Sequence, residues 1–317
     1  MKLKDIYNLA VEVGIEADPR GRQVIEQQLA KRREAFDKLS KEDQALYDQE
    51  KLVNPYSDTR ILTGDPEAEI LGLLAGIDME SPEVLLADRL RERGESIDLV
   101  MAHHPEGAAL AALHEVMGVQ ADIWHRFGVP ISIGDVLIDQ RAKEVQRALS
   151  PANHDRPVDM AKLLGLAMIC VHTPSDNLVS KWLQEQLDSG PPVFVDDVVK
   201  RLKGIPEYQA ATKINAGPRV VVGGGGGKRA GKIAVMMTGG TGGPEESIEK
   251  LTSAGVGTLV EMHMEEKLRK KAEEHHLNVI IAGHIASDNI GMNLWLDRLE
   301  SKGLMVKACS GIVRVKR

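Results

Sequence analysis

The stretch LVMAHHPEG, residues 99 to 107, decides the fold of this chain. A short apolar run ends abruptly in two adjacent histidines, and a proline follows them. Neighbouring side chains of an extended strand point to opposite faces, so two histidines in a row cannot both face one core. The run therefore predicts a buried strand that ends at His103 and His104, where the chain turns.

Apolar runs of strand length lie on both sides of this segment. ILGLLAGIDM (70–79) is apolar almost throughout, which is typical of a strand buried on both faces. A helix follows it, with Ser81 as the cap and Pro82 in the first turn. VPISIGDVL (129–137) and LLGLAMICV (163–171) predict two more strands.

The second half of the chain continues the alternation. After the connection KGIPEYQAATKINAGP (203–218) come RVVV, KIAVMM, TLVEM and NVIIAG, mostly separated by helical segments. Strands that alternate with helices predict an α/β fold of two lobes with mostly parallel or mixed sheets. No internal repeat is visible in the sequence.

The N-terminal segment is helical in character. MKLKDIYNLAVEVG has the periodicity of an amphipathic helix and not of a signal peptide. Residues 20–51 are strongly charged and predict two helices, with Ser40 as an N-cap. We therefore divide the chain into an N-terminal helical arm (1–58), a first α/β lobe (59–205) and a second α/β lobe (206–317).

Length and composition exclude several classes of protein. The 317 residues carry a net charge of −7 and only 3% aromatic residues, which argues against binding a nucleic-acid polymer. No apolar run approaches the roughly 18 residues of a membrane span. The two cysteines lie in unrelated contexts and form no disulfide framework, which favours a reducing cytoplasm.

Histidines follow three of the predicted strands, and two of these histidines have an aspartate four residues further on. The residues are His103 and His104, His172 with Asp176, and His284 with Asp288. The carboxyl ends of strands in open α/β sheets meet at one edge, so these groups can converge there. Imidazoles with carboxylates suit Zn, Mn, Fe, Co or Ni better than Ca. A carboxylate can bridge two cations, and adjacent imidazoles can each reach a different one, so we predict two divalent transition metals.

A structural interpretation stays open beside this one, because a single histidine at a strand end is usually only hydrogen-bonded. We apply it to the histidines without partners in the sequence, His114, His125, His154, His275 and His276. Cys170 is interpreted as a small buried residue. His263, which follows another apolar run beside Glu261, is a candidate for lining the site.

Two glycine-rich segments invite a phosphate-binding interpretation. VVVGGGGGKRAGK (220–232) lacks the Ser or Thr that a P-loop requires after its lysine, so Gly223 to Gly227 predicts a flexible turn. MMTGGTGGPEES (236–247) follows a strand and precedes a helix, so its backbone amides can hold an anion or a substrate group. The candidates are Gly239, Gly240, Gly242 and Gly243; tight packing of strand on helix is the alternative.

The order of motifs resembles the Nif-three-like family, named after "NGG-one-interacting factor three". The resemblance covers roughly residues 60 to 300 and is carried by GDPEAEI with LLAGID, MAHHP, HTPSD and GHIASD. Some members of that family are described as type-two GTP cyclohydrolase I. The resemblance implies a dinuclear metal site between two α/β lobes and ring-like homo-oligomers, often hexamers.

The family's metal ligands would fall on His103, His104, Asp176 and His284, with His172 beside the metals. The late acidic ligand is usually glutamate, whereas this chain has the shorter Asp288. The segment between HHP and HTPSD is longer than usual, which indicates a helical insertion near 113–160.

We therefore expect a metal-dependent hydrolase that acts on a small anionic or nucleotide-like substrate. His172 is the expected general acid or base, because the ordinary pKa of histidine is near neutral pH. The alternative from another class is a non-catalytic metal-binding oligomeric scaffold or metal-handling protein.

Overall fold

The computed structural model describes residues 1–224 and 227–317. The strands are β1 (Arg60–Thr63), β2 (Gly72–Gly76), β3 (Leu99–Ala102), β4 (Ala167–Cys170), β5 (Arg219–Val222), β6 (Lys232–Met236), β7 (Val256–Glu261), β8 (Asn278–Ile281) and β9 (Met305–Ala308). The α-helices are α1 (Leu3–Ala17), α2 (Arg22–Phe36), α3 (Lys41–Leu46), α4 (Ser81–Glu92), α5 (Gly107–Ala111), α6 (Val119–Phe127), α7 (Ile131–Leu149), α8 (Arg156–Leu163), α9 (Thr173–Asp188), α10 (Val195–Leu202), α11 (Pro206–Lys213), α12 (Glu246–Ser253), α13 (Glu266–Glu274) and α14 (His284–Ser301). Short 3₁₀ helices span Gln49–Leu52 and Leu113–Gly118.

The strands form two sheets, which confirms the predicted α/β class. The first sheet has the order β1-β4-β3-β2-β9, and the second has the order β5-β8-β7-β6. β2, β3, β4 and β9 run parallel, as do β6, β7 and β8, whereas β1 and β5 are antiparallel edge strands. Every residue of β2, β3 and β4 is buried, which explains the continuous apolar runs in the sequence.

The two sheets share one topology. In each, an antiparallel edge strand lies beside the last of three parallel strands, so β1-β4-β3-β2 corresponds to β5-β8-β7-β6. The last parallel strands, β4 and β8, lead directly into the long helices α9 and α14. One helix, α13, connects β7 to β8, whereas α5 to α8 lie between β3 and β4. The extra helices occupy the region where the insertion was expected.

Helices α9 and α14 pack between the two sheets. On α9, Leu178 joins the core of the first sheet, while Val179 and Leu183 join the core of the second. On α14, Trp295 belongs to the first core and Ile290 to the second. The starts of both helices are therefore held between the two lobes.

The edge strand β6 is covered by side chains of α9. Gln184 accepts a hydrogen bond from the Val235 N–H at 2.9 Å and donates one to the Ile233 carbonyl at 3.3 Å. Ser180 accepts from the Met237 N–H at 3.1 Å. Because these contacts satisfy backbone groups that an open edge exposes, they fix β6 against the helix that carries Asp176.

Several sequence predictions differ from the structure in detail. Residues 129–137, predicted as a strand, begin helix α7, because the buried Gly134, Ile138 and Val145 recur on one helical face. The N-cap of α4 is Glu80 and not Ser81, and Glu80 forms a capping box with Glu83.

Two further predictions concern the segments between the strands. The connection 203–218 contains α11, and Ser40 caps α3 as predicted, accepting from the Asp43 N–H at 3.1 Å. The predicted flexible turn Gly223 to Gly227 includes residues 225 and 226, which lie outside the described residues.

The predicted division into an arm and two lobes stays a prediction, but two elements cross its boundaries. β9, assigned to the second lobe, pairs in parallel with β2 of the first sheet. Helix α1, assigned to the arm, buries Leu3, Ile6 and Val13 in the core of the first sheet. None of the helices in 1–224 or 227–317 is long and apolar enough to cross a membrane.

Candidate metal centre

The structure brings the strand-end histidines and both aspartates into one cluster. His103 and His104 follow β3, His172 is the N-cap of α9, and His284 is the first residue of α14. Asp176 and Asp288 lie four residues after a histidine, which places each pair on one face of its helix. Because α9 and α14 pack between the sheets, the two His–Asp pairs meet at β3.

Three of the histidines turn the same ring nitrogen toward the cluster. Nδ1 of His103 donates to the Val171 carbonyl at 3.2 Å, and Nδ1 of His104 donates to Asp78 at 2.6 Å. Nδ1 of His172 donates to Asp58 at 2.8 Å. These bonds place the proton on Nδ1 and leave Nε2 with a lone pair facing inward, which is the form in which histidine binds a metal.

Asp288 lies at the centre of the cluster and is buried. Its Oδ1 is 3.6 Å from Nε2 of His103. Its Oδ2 is 3.5 Å from Nε2 of His104 and 3.6 Å from Nε2 of His284. One carboxylate therefore faces two different sets of imidazoles, which is the arrangement of a bridging ligand.

Asp176 completes the inner side of the cluster. Its Oδ1 is 3.4 Å from Nε2 of His103, and its Oδ2 is 3.7 Å from Nε2 of His172. Two ligand atoms that each lie about 2.1 Å from one tetrahedral ion are separated by roughly 3.4 Å. The spacings in the cluster thus suit atoms that share a metal ion.

Buried polar atoms without hydrogen-bond partners collect at this place. They are Nε2 of His103, Oδ1 of Asp176 and both carboxylate oxygens of Asp288. An unpaired buried polar atom is costly, so such a group of donors and acceptors calls for a partner. Two sets of side chains could hold a metal ion, namely His103 with His104 and Asp288, and His103 with His172 and Asp176.

Burial and mutual charge shift the pKa values of these groups. Burial would raise the pKa of Asp288, but the surrounding His103, His104 and His284 hold it well below its usual range. Burial raises the pKa of Asp176 to about 6 against the opposing effect of His172 and His103. Burial lowers the pKa of His172, but Asp176 and Asp58 outweigh it and raise it to about 9. The carboxylates and imidazoles are strongly coupled, as in functional clusters.

Two aspartates that support the cluster were not identified from the sequence. Asp58 accepts from Nδ1 of His172 and also from the Thr173 hydroxyl, at 2.6 Å. Asp78 supports His104 and follows β2. In the sequence, Asp78 is marked only by its position at the end of a buried apolar run. Asp58, in the turn NPYSDT, has no sequence feature that indicates its role.

A cavity of about 340 Å³ opens beside the cluster. His104, His172, Asp176, His284 and Asp288 form one end of it. The candidate substrate residues line it as well, namely Gly239, Gly240, Gly242, Gly243 and His263. The ring centroid of His263 lies 4.9 Å from that of His284. These residues are thus in position to contact a ligand, although their role stays a prediction.

Helices α6 and α7 hold the glycine loop in place. Gln120 of α6 donates to the carbonyl oxygens of Gly239 and Thr241, at 2.7 and 2.6 Å. Arg141 of α7 donates to the Gly242 carbonyl at 3.1 Å. The insertion therefore forms part of the cavity wall and fixes the loop opposite the cluster.

The remaining histidines lie outside the cluster. Nδ1 of His125 donates to the Val129 carbonyl, and Nε2 of His154 donates to the Leu149 carbonyl. Cys170 is fully buried, and its sulfur accepts from the Glu106 N–H at 3.2 Å. These contacts agree with the structural interpretation.

No protein-family model and no curated protein matches the chain. Among solved structures, the fold is similar to that of a NIF3 superfamily protein from Sphaerobacter thermophilus. The TM-score is 0.70 and the sequence identity 27%, over 83% of this chain and 94% of that chain. Reduced HcgD from Methanocaldococcus jannaschii is similar in fold, with a TM-score of 0.51 and 15% identity, over 84% of this chain and 94% of that chain.

The protein has two α/β lobes of one topology, and a buried His–Asp cluster between them could hold a metal ion. It therefore belongs to the class of two-lobed α/β proteins with a candidate metal site. Within that class, the match at 27% identity shows a likeness to a NIF3 superfamily protein over most of both chains. The chain is a NIF3-like protein, which confirms the resemblance inferred from the sequence motifs.

Proposed function

We propose that the protein is a hydrolase that depends on two divalent transition-metal ions held by His103, His104, Asp176, His284 and Asp288. The proposal is supported above all by the convergence of unpaired buried atoms on one point, with Asp288 facing two sets of imidazoles. The set of imidazoles and carboxylates suits Zn, Mn, Fe, Co or Ni.

The geometry favours a division of the ligands between two ions. His103, Asp176 and Oδ1 of Asp288 would hold an inner ion, because Nε2 of His103 is buried and lies 3.4 Å from Oδ1 of Asp176 and 3.6 Å from Oδ1 of Asp288. His104, His284 and Oδ2 of Asp288 would hold an outer ion, at the end of the cavity. A pair of such ions lowers the pKa of water and polarises a carbonyl or phosphoryl group.

His172 has the position of the proton-transfer residue. Its Nδ1 is anchored on Asp58, while its Nε2 faces Asp176 and the ring lines the cavity. With Asp58 holding Nδ1, Nε2 is the atom of His172 that would accept or donate a proton at the reacting group. Trp124 and the neighbouring apolar side chains of the cavity wall would pack against the rest of the substrate.

Elemental analysis of the gently purified protein tests the metal part of the proposal. We expect about two transition metals per chain, about one in His104→Ala, and fewer than one in Asp288→Ala, because Asp288 faces both positions. His276→Asn is the matched control, since His276 is exposed and its left-handed backbone tolerates Asn. Metal-free wild type after reconstitution with Zn, Mn, Fe, Co or Ni would refute the proposal.

Turnover is tested separately with a panel of activated esters and cyclic amides. Hydrolysis that stops on chelation and is lost in Asp288→Ala supports the hydrolase. Full metal occupancy without turnover on any substrate would contradict it, and would favour the metal-binding scaffold instead.

A further inference from the structure

The cavity beside the cluster has an unusual distribution of charge. No lysine or arginine is among the described residues that line it. The wall away from the cluster is mainly apolar and rich in methionine, and consists of Leu110, Leu113, Ile123, Trp124, Met236, Met237, Met262, Met264 and Leu268. Proteins that bind phosphates use arginine, lysine or backbone amides to balance the charge. Side-chain cations of that kind are missing from the described wall.

Arg141, the basic side chain that contacts the glycine loop, is already neutralised. Arg141 donates to the Gly242 carbonyl and forms ion pairs with Glu144 at 3.0 Å and with Glu265 at 3.3 Å. Two carboxylates therefore share its charge, and it presents no surplus positive charge to a ligand.

Glu261 is the opposite case, a cavity-lining carboxylate without a partner. It ends β7, and within the described residues its side chain forms no hydrogen bond and no ion pair. Glu265, the other acidic residue of this wall, is balanced by Arg141. Burial raises the pKa of Glu261 to about 8, so the ionised form gains from a cation that enters the cavity.

We infer that this cavity takes a small molecule with an apolar body and a cationic amine that pairs with Glu261. The inference rests on the proposed function, because the metal ions would hold the reacting end of the molecule. The volume of about 340 Å³ lies at the lower end of the roughly 300–1,000 Å³ of ligand sites, which suits a small body.

The inference departs from the expected anionic or nucleotide-like substrate. The carbonyl oxygens of Gly239, Thr241 and Gly242 already accept from Gln120 and Arg141, so this loop would contact a ligand through its backbone N–H groups. The methionines on the wall suit an apolar body of irregular shape, since their unbranched side chains adapt to the ligand.

Three hydroxamates with matched tails test this inference on the metal-loaded protein. The probes are benzohydroxamic acid, its 4-aminomethyl derivative and its 4-carboxy derivative, whose common hydroxamate chelates metal ions. We expect the aminomethyl probe to bind at least about tenfold more tightly than the carboxy probe in calorimetry, because only the ammonium group can pair with the ionised form of Glu261. Equal or tighter binding of the carboxy probe would overturn the inference.

Glu261→Gln identifies the residue responsible for the preference. In this variant the ratio of the dissociation constants of the carboxy and aminomethyl probes should shrink at least about threefold, while the neutral probe binds as in the wild type. Glu266→Gln is the matched control, because this substitution makes the same chemical change at an exposed glutamate that does not line the cavity. A preference that survives in Glu261→Gln would refute the role of Glu261.

Metal-independent probes separate this inference from the proposed function. Benzylamine, benzyl alcohol and benzoate contain no chelating group, so their binding in ligand-detected NMR reports on the cavity alone. If no metal binds but benzylamine is preferred and the preference is lost in Glu261→Gln, the proposed function fails and the charge preference stands. If metals and hydroxamates bind without discrimination between tails, the inference fails and the metal site stands.

Discussion

Gly291→Ala should separate the two helices that carry the acidic residues of the cluster. Gly291 lies on α14, three residues after Asp288, and packs against Ser175 of α9, the neighbour of Asp176. A Cβ atom on Gly291 would lie 2.4 Å from the Ser175 carbonyl oxygen, whereas ordinary contact begins at 3.4 Å. The contacted atom is backbone, so the helices must move apart by 1.0 Å, the difference between these distances.

A shift of this size is large compared with the tolerance of a metal site. The cluster holds Nε2 of His103 3.4 Å from Asp176 and 3.6 Å from Asp288, and those aspartates lie on the helices that separate. Metal–ligand bonds vary by only about 0.2 Å. We expect at least tenfold weaker metal binding, together with a loss of about 1–3 kcal/mol in the free energy of unfolding from overpacking.

Competition with a chromogenic chelator measures the metal affinity, and urea denaturation of the metal-free protein measures the stability. Gly118→Ala is the matched control, because Gly118 has helical backbone angles and no atom within 4 Å of an added Cβ. Undiminished metal affinity in a destabilised Gly291→Ala protein would show that the helix spacing does not set the site. Unchanged stability would refute the steric argument itself.

Three further predictions concern the support of the fold and site. Arg317→Ala should lower the free energy of unfolding by about 3 kcal/mol in urea denaturation, because Arg317 forms a bidentate ion pair with the fully buried Glu207. A loss in the free energy of unfolding below about 1 kcal/mol would contradict this prediction. Asp78→Asn should weaken metal binding about 10- to 100-fold in the chelator assay, because it releases His104, one of the proposed ligands; wild-type affinity would exclude that role. Burial raises the pKa of Glu261 from 4.5 to about 8, so between these pH values the folded protein keeps a proton that the unfolded chain loses, and its stability falls as the pH rises. The melting temperature of metal-free Glu261→Gln should lack this part of the fall. Identical pH profiles of the melting temperature in the variant and the wild type would refute the prediction.

The sequence predicted which histidines and aspartates lie together better than it predicted the helices around them. Strand ends are marked by apolar runs that stop abruptly, and in a parallel sheet those ends converge, so His103, Asp176 and Asp288 could be placed together without a structure. The strand predicted at 129–137 was wrong because its apolar residues fit both periods over so short a window, and the helical face became visible only with Val145.

The supporting residues could not be found in this way. Asp58 lies in a turn far from His172 in the sequence, and only the pairing of β1 with β4 brings the two segments together. In the sequence, Glu261 is noticeable only as a neighbour of His263. Whether its carboxylate has a hydrogen-bond or ion-pair partner depends on the elements packed around it. Such roles arise from tertiary contacts, which local sequence patterns do not encode.

The shared topology of the two sheets has a consequence for the origin of the site. Two like units that face each other with equivalent His–Asp pairs have the arrangement of a symmetric homodimer whose subunits became joined by duplication. In a homodimer every substitution appears on both sides, whereas joined copies diverge separately. Here one copy has His103 and His104 after its middle strand, and the other has Glu261 at the corresponding strand end. The two equivalent strand ends thus contribute different chemistry to one site, imidazoles from the first unit and a carboxylate from the second.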